Sequence, residues 1–116
     1  MRLADVRFGS HEHVVIAHVT GEVDLSNAGE LGSALIDAIA SDTWALVLEL
    51  SDVEYLDSAG IQLLYRLRAD LRARGQGLSL VIRRRSAAHD ALRLAGVSDH
   101  IHLAETVDDA LAELPT

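Results

Sequence analysis

The chain is expected to form an α/β domain, in which a mixed, mostly parallel sheet follows an N-terminal hairpin and carries packed α-helices. Three observations lead to this fold class. The runs Ala45 to Leu50 and Leu78 to Ile82 are almost wholly apolar, as strands covered on both faces should be. Stretches of helical spacing, about 10 to 15 residues long, alternate with the strands after the hairpin, which favours parallel pairing through crossovers. The opening segments 3–8 and 13–20 are joined by Gly9-Ser10-His11-Glu12, a short polar connection that suits antiparallel strands.

The elements follow in order. Gly21 is expected to end the second strand and Glu22-Val23-Asp24-Leu25 to form a loop. Asn27, with Glu30 three residues later, reads as a capping box opening a helix to about Ala40. Ala28, Leu31, Leu35, Ala38 and Ile39 share one face of it, the spacing of a helix laid on a sheet. The third strand is Ala45 to Leu50. A loop closed by Leu56 leads to a second helix from about Ala59 to Arg74, with Ile61, Leu64, Leu67, Arg68 and Leu71 along one side and Gly75 as its stop. After the fourth strand, Ser86 caps a third helix that ends at Gly96. A short strand near His100 to Leu103 and a last helix opened by Thr106 complete the chain, with Pro115 beyond the last element.

Composition narrows function. Residues 1–116 are enough for one domain with its own core. Aromatic residues make up only 3%, so platforms for stacking bases are scarce, and a formal charge of -8 repels phosphate backbones. Both features argue against nucleic-acid binding and favour a protein partner with a basic surface. The absence of cysteine excludes disulfides, thiol catalysis and thiolate metal sites. Met1-Arg2-Leu3-Ala4-Asp5 carries no apolar signal segment and no run is long enough to span a bilayer, so a cytoplasmic protein is expected.

The richest segment is Leu50-Ser51-Asp52-Val53-Glu54-Tyr55-Leu56-Asp57-Ser58-Ala59-Gly60-Ile61. It runs from a buried strand to a serine at a helix start. Asp57 or Ser58 can cap that helix, because either side chain can accept from a first-turn N–H. The same free N–H groups and the positive helix end would offer partners to a phosphate on Ser58. Gly60 is expected to leave a small open surface through which another protein reaches the hydroxyl.

Together with Thr20-Gly21-Glu22-Val23-Asp24, this segment resembles the STAS domain of anti-sigma factor antagonists, and the order of elements matches over essentially the whole chain. The resemblance implies that Ser58 is a regulatory phosphorylation site and that Asp24 lies beside it. Asp57, Ala59, Gly60, Gly21 and Glu22 would shape the site and contact the partner. Ala59 stands where many members carry Ser or Thr, which leaves Ser58 as the sole hydroxyl of the turn. The implied function is partner switching without catalytic activity or a cofactor. The unphosphorylated protein binds an anti-sigma factor serine kinase and frees a sigma factor; phosphorylation with ATP supplied by that kinase releases it, and a serine phosphatase resets it. The other role open to the fold is that of a subunit in a stressosome-like scaffold or a lipid-transport complex, with Ser58 as a structural cap.

Other residues have plain roles beside specialised ones. A serine hydrolase is disfavoured because the turn lacks a G-x-S-x-G elbow and a paired base, and no glycine-rich loop supports nucleotide binding. The pairs His11/His13 and His100/His102 have the spacing of two imidazoles on one strand face, yet no third metal ligand is implied. His89 is expected at the surface near a helix start. Arg83-Arg84-Arg85 is either a solvated loop or a dock for an acidic face. Tyr55 and Leu56 are read first as packing residues, with a rim contact as the second reading for Tyr55.

Overall fold

The computed structural model describes residues 4–114, so Leu3 and Pro115 lie outside the described residues. Strands β1 (Asp5–His11), β2 (Val14–Val23), β3 (Ala45–Leu56), β4 (Gly77–Val81) and β5 (His102–Ala104) form one sheet in the order β1-β2-β3-β4-β5. β1 and β2 pair antiparallel, and all later neighbours pair parallel. Helices α1 (Ala28–Asp37), α2 (Ser58–Ala73), α3 (Ala87–Leu94) and α4 (Val107–Glu113) supply the layers on the sheet. The expected fold class is therefore the observed one.

Strand periodicity divides the side chains between two cores. One face presents Ala17, Val19 and Val23 of β2, Leu46, Leu48, Leu50, Val53 and Leu56 of β3, and Leu80 of β4 to α1, α2 and α3. The opposite face presents Val14, Val47, Val81 and Ala104 to the short α4 through Ala110. Two-sided coverage of β3 and β4 explains why those runs carry so few polar residues. Helix α2 buries Leu63, Leu64, Leu67 and Leu71, while Arg68 on its flank is half-buried.

Several boundaries differ from expectation. The β1–β2 reversal is tighter, because β1 continues to His11 and Glu12 takes a left-handed φ of 56°. β2 does not stop at Gly21. That glycine adopts φ 94° where the β2–β3 register shifts, and the strand resumes through Glu22 and Val23. The bulge uses a backbone conformation that glycine adopts without steric cost, so Gly21 bends the strand instead of ending it. β3 likewise runs six residues past Leu50, with Leu56 as its last strand residue. The segment looked like a loop because Ser51, Asp52 and Glu54 are polar. Its inward residues Val53 and Leu56 are 4% and 8% exposed, and they pair in register with Gly21 and Val23.

The Asn27/Glu30 capping box does not form. Asn27 occupies the cap position of α1 but makes no capping bond there. Its Oδ1 accepts from the Asp24 N–H at 3.0 Å, and its Nδ2 donates to the Glu22 carbonyl at 2.7 Å. The buried amide thus pins the β2–α1 connection, which satisfies its own polar atoms more completely than a cap would. The caps expected for α3 and α4 are present: Ser86 Oγ accepts from His89 N–H and Thr106 Oγ1 from Asp109 N–H, both at 3.0 Å.

Candidate functional site

The long β2 and β3 strands end side by side, and the parallel register sets Glu22 against Tyr55 and Val23 against Leu56. Two chain segments leave this end: Asp24-Leu25-Ser26-Asn27, leading to α1, and Asp57-Ser58, opening α2. Asp57 ties them together. Its backbone N–H donates to the Val23 carbonyl at 3.2 Å. Its Oδ1 accepts from the Ala59 and Gly60 N–H groups at 2.9 and 3.1 Å, and its Oδ2 accepts from the Leu25 N–H at 3.3 Å. One carboxylate therefore caps α2 and holds the neighbouring loop.

The cap is Asp57, and Ser58 is the first helical residue, exposed to solvent. This settles which residue of the pair serves the helix end and frees the Ser58 hydroxyl from capping. It also alters the expected fate of a phosphate. The Ala59 and Gly60 N–H groups already serve Asp57, so a phosphoryl group on Ser58 would have to displace a carboxylate to reach them.

Gly60 is not an opening to the surface. It is buried, and a Cβ at this position would run into Leu56 Cδ1 and stand 3.1 Å from Leu56 Cγ and 3.2 Å from Val23 Cγ1. The glycine lets α2 descend onto the ends of β2 and β3, which fixes the height at which Ser58 is presented. Ala59 beside it is half-buried and packs against the main core.

Asp24 faces its own loop. Its Oδ1 accepts from the Ser26 N–H at 2.9 Å and from the Ser26 hydroxyl at 2.5 Å, while its carbonyl accepts from the Asn27 and Ala28 N–H groups. The structure brings this loop to Ser58 through the bond between Asp57 and Leu25 N–H. Glu22, half-buried on β2, completes an acidic rim with Asp24, Asp57 and the exposed Glu54.

Two apolar side chains interrupt that rim. Leu25 is 83% exposed and Tyr55 51% exposed. Tyr55 is therefore a rim residue, whereas Leu56 is buried as expected. Leu25 was missed by the pattern of the sequence; the available signal was one large apolar side chain inside the polar run Asp24-Leu25-Ser26-Asn27. Exposed apolar side chains between charges are common features of protein-binding patches. A cleft of about 780 Å3 lies at the other end of the sheet and is lined by His13, Trp44, Gln76 and Leu114 among others, with no residue of this rim.

Neither histidine pair lies within one strand, as the spacing had suggested. His13 lies in the hairpin turn and stacks on Trp44 at a centroid distance of 4.6 Å, and His100 precedes β5 and meets Tyr65 edge-on at 5.9 Å. His102 instead bonds Ser79 Oγ through Nδ1 at 2.8 Å and approaches Glu113 through Nε2 at 3.3 Å, tying α4 to the sheet. Among the described residues no cluster of three or more His, Asp or Glu side chains could hold a metal. His89 sinks further than a surface residue, because Ala88 and Leu92 draw its helix onto the core; its Nδ1 is buried without a hydrogen bond. Arg83 donates to the Ser51 carbonyl at 2.8 Å and Arg84 pairs with Glu105, so both are engaged locally.

The family model of the STAS domain matches residues 6–110. This chain belongs to the STAS domain family. A curated relative, the anti-sigma-F factor antagonist RsfB of Mycobacterium tuberculosis, is 33% identical over 107 residues, covering 91% of this chain and 85% of that protein. The crystal structure of an anti-sigma factor antagonist from Mycobacterium paratuberculosis superimposes with a TM-score of 0.83 at 29% identity, covering 95% of this STAS domain and 92% of that chain. SpoIIAA of Bacillus, solved in its phosphorylated form, shares the fold with a TM-score of 0.65 at 16% identity over 96% of this chain and the whole of its own. These homologues are regulatory proteins. Among the described residues of this STAS domain no helix is long and apolar enough to cross a membrane.

Proposed function

We propose that this STAS domain is an anti-sigma factor antagonist in the cytoplasm that switches partners through Ser58. The unphosphorylated rim of Leu25, Tyr55, Asp24 and Asp57 docks an anti-sigma factor serine kinase and thereby frees a sigma factor. Phosphorylation of Ser58 by that kinase, with ATP bound to the kinase, releases the complex, and a serine phosphatase restores the binding form. The domain itself needs neither a cofactor nor a catalytic group.

The observation that carries this reading is the division of labour at the start of α2. Asp57 holds the helix end and the adjacent loop, which leaves the Ser58 hydroxyl exposed beside two exposed apolar side chains. A phosphoserine adds about -1.5 to -2 charges at neutral pH. A like charge brought within about 4 Å of it would cost roughly 1 to 4 kcal/mol between the limits of water and a protein surface. A loss of only about 1.4 kcal/mol at a docked interface weakens binding tenfold. The acidic rim suits a partner with a basic edge, so release comes from the bulk and desolvation cost of a phosphate beside the apolar part of the contact, Leu25 and Tyr55.

The test is binding to the kinase with ATP present, together with mapping of phosphate on protein recovered from unstressed and stressed cells. Ser58→Ala is expected to remain bound, Ser58→Asp to bind weakly, and phosphate on Ser58 to vary with condition. Equal binding by the two variants, with no phosphate on Ser58 in any condition, would overturn the switch.

A further inference from the structure

Among the described residues the sheet has one long uncovered edge. β1 pairs with β2 on one side only, and its residues Asp5 and Arg7 to His11 are all exposed. The opposite edge, β5, is only three residues long. A free strand edge presents unpaired N–H and C=O groups that can template another strand. β1 carries neither a proline nor a lysine to prevent this, and Phe8 on it is 46% exposed.

We propose that the β1 edge is a self-association surface, on which a second copy of this chain pairs β1 to β1 antiparallel and joins the two sheets. Symmetry selects the register. A two-fold axis normal to the sheet must pass between one residue and its own copy, so permitted registers differ by steps of two residues. Centring the axis on Phe8 sets Phe8 against the partner's Phe8, Asp5 against the partner's His11, Val6 against the partner's Ser10, and Arg7 against the partner's Gly9. Every pair then matches in face, because Val6, Phe8 and Ser10 share one side of β1 and Asp5, Arg7, Gly9 and His11 the other. An aromatic pair lies at the centre and an acid faces an imidazole at each end, both favourable cross-strand combinations. Gly9 leaves room for the arginine opposite it. The register centred on Arg7 would oppose two guanidinium groups, and the one centred on Gly9 would set Arg7 against the partner's His11 and leave Asp5 without a counterpart. The register centred on Val6 also sets Asp5 against the partner's Arg7 but pairs only three residues of β1, so among registers that pair five or more strand residues the one centred on Phe8 alone is complementary throughout.

Sedimentation velocity over a concentration series tests the proposal without reference to any regulatory partner. The full chain is expected to show a concentration-dependent monomer–dimer equilibrium. Phe8→Lys should abolish it, and Asp5→Lys should weaken it about tenfold, since symmetry makes the end pair occur twice. The charge-reversed double variant D5K/H11E should recover the affinity, a result that a merely destabilised strand would not give. Because these side chains are exposed, thermal unfolding of each variant, compared at concentrations where the parent is monomeric, should match the parent and so exclude misfolding. A monomer at every concentration would overturn the proposal, as would a dimer indifferent to Phe8→Lys and Asp5→Lys.

Discussion

Replacing Asp57 probes how the Ser58 turn is built. In Asp57→Ala, three N–H groups lose their acceptor: Ala59 and Gly60 in the first turn of α2, and Leu25 in the adjacent loop. Loss of an N-cap side chain costs about 0.5 to 2 kcal/mol, and loss of the carboxylate from the helix end about 0.3 to 1 kcal/mol. The Leu25 bond is long and its donor can turn to water, so it adds little. A total of about 2 kcal/mol is expected. For 116 residues the unfolding entropy near the midpoint is about 0.24 kcal/mol per kelvin, which converts that loss to a Tm lower by about 8 °C. Asp57→Asn keeps an amide oxygen for the cap and gives up only the charge, so it should lose about 1 to 4 °C. Calorimetry measures both shifts, and amide exchange at Leu25 reads the loop separately: it should quicken in Asp57→Ala. If Asp57→Ala melts with the parent, or the Leu25 amide exchanges unchanged, the carboxylate is not the strut described.

Further outcomes follow from the packing. Gly60→Ala should destabilise by about 1 to 2 kcal/mol through its collision with Leu56, and in a Leu56→Ala background the same change should become neutral or favourable, because alanine is the better helix former; a chemical-denaturation double-mutant cycle checks the reversal. His102→Ala strands the fully buried Ser79 hydroxyl and should cost about 1 to 3 kcal/mol, with faster amide exchange in α4, whereas adding Ser79→Ala should recover part of the loss. Arg83→Ala should change stability by less than about 1 kcal/mol despite its contacts with Ser51 and Asp52, since its side chain is 65% exposed. A larger effect in urea denaturation would show that the Arg83 contacts brace the end of β3.

The parts legible in the sequence are those in which one physical signal dominates. Apolar runs marked the two-sided strands, and Ser86 and Thr106 marked helix starts because their side chains had no competing partner. Polar residues within β3 hid its extension, since Val53 and Leu56 alternate with exposed side chains only when β2 continues beside them. That continuation depends on a bulge at Gly21, and a glycine in sequence looks the same whether it ends a strand or bends one. Asn27 misled for a related reason: its amide serves the carbonyl of Glu22 and the N–H of Asp24, contacts that exist only once the loop has closed. At the site, Ser58 and Asp57 were evident as candidates, but their separation into a presented hydroxyl and a strut required coordinates. Leu25 left only one mark, an apolar side chain inside a polar run, because exposure is a property of the fold, not of leucine.

The arrangement also determines how a charge at Ser58 would act. The Ala59 and Gly60 N–H groups are committed to Asp57, and Asp57 is committed in turn to the Leu25 loop, so a phosphoryl group gains from those two donors only by breaking a bridge between two segments. Remaining in solvent is the less costly course, with the surrounding carboxylates discouraging any inward turn. Phosphorylation should then change the potential of the rim and leave the backbone as it was. Amide chemical shifts of the phosphorylated protein are expected to move at residues 57–61 and at Leu25 by proximity to charge, while amide protection at Leu25 and throughout β2 and β3 stays constant. Loss of protection at Leu25 on phosphorylation would mean that the phosphate does displace Asp57, and the switch would then work by releasing the loop instead of by charge at an otherwise fixed surface.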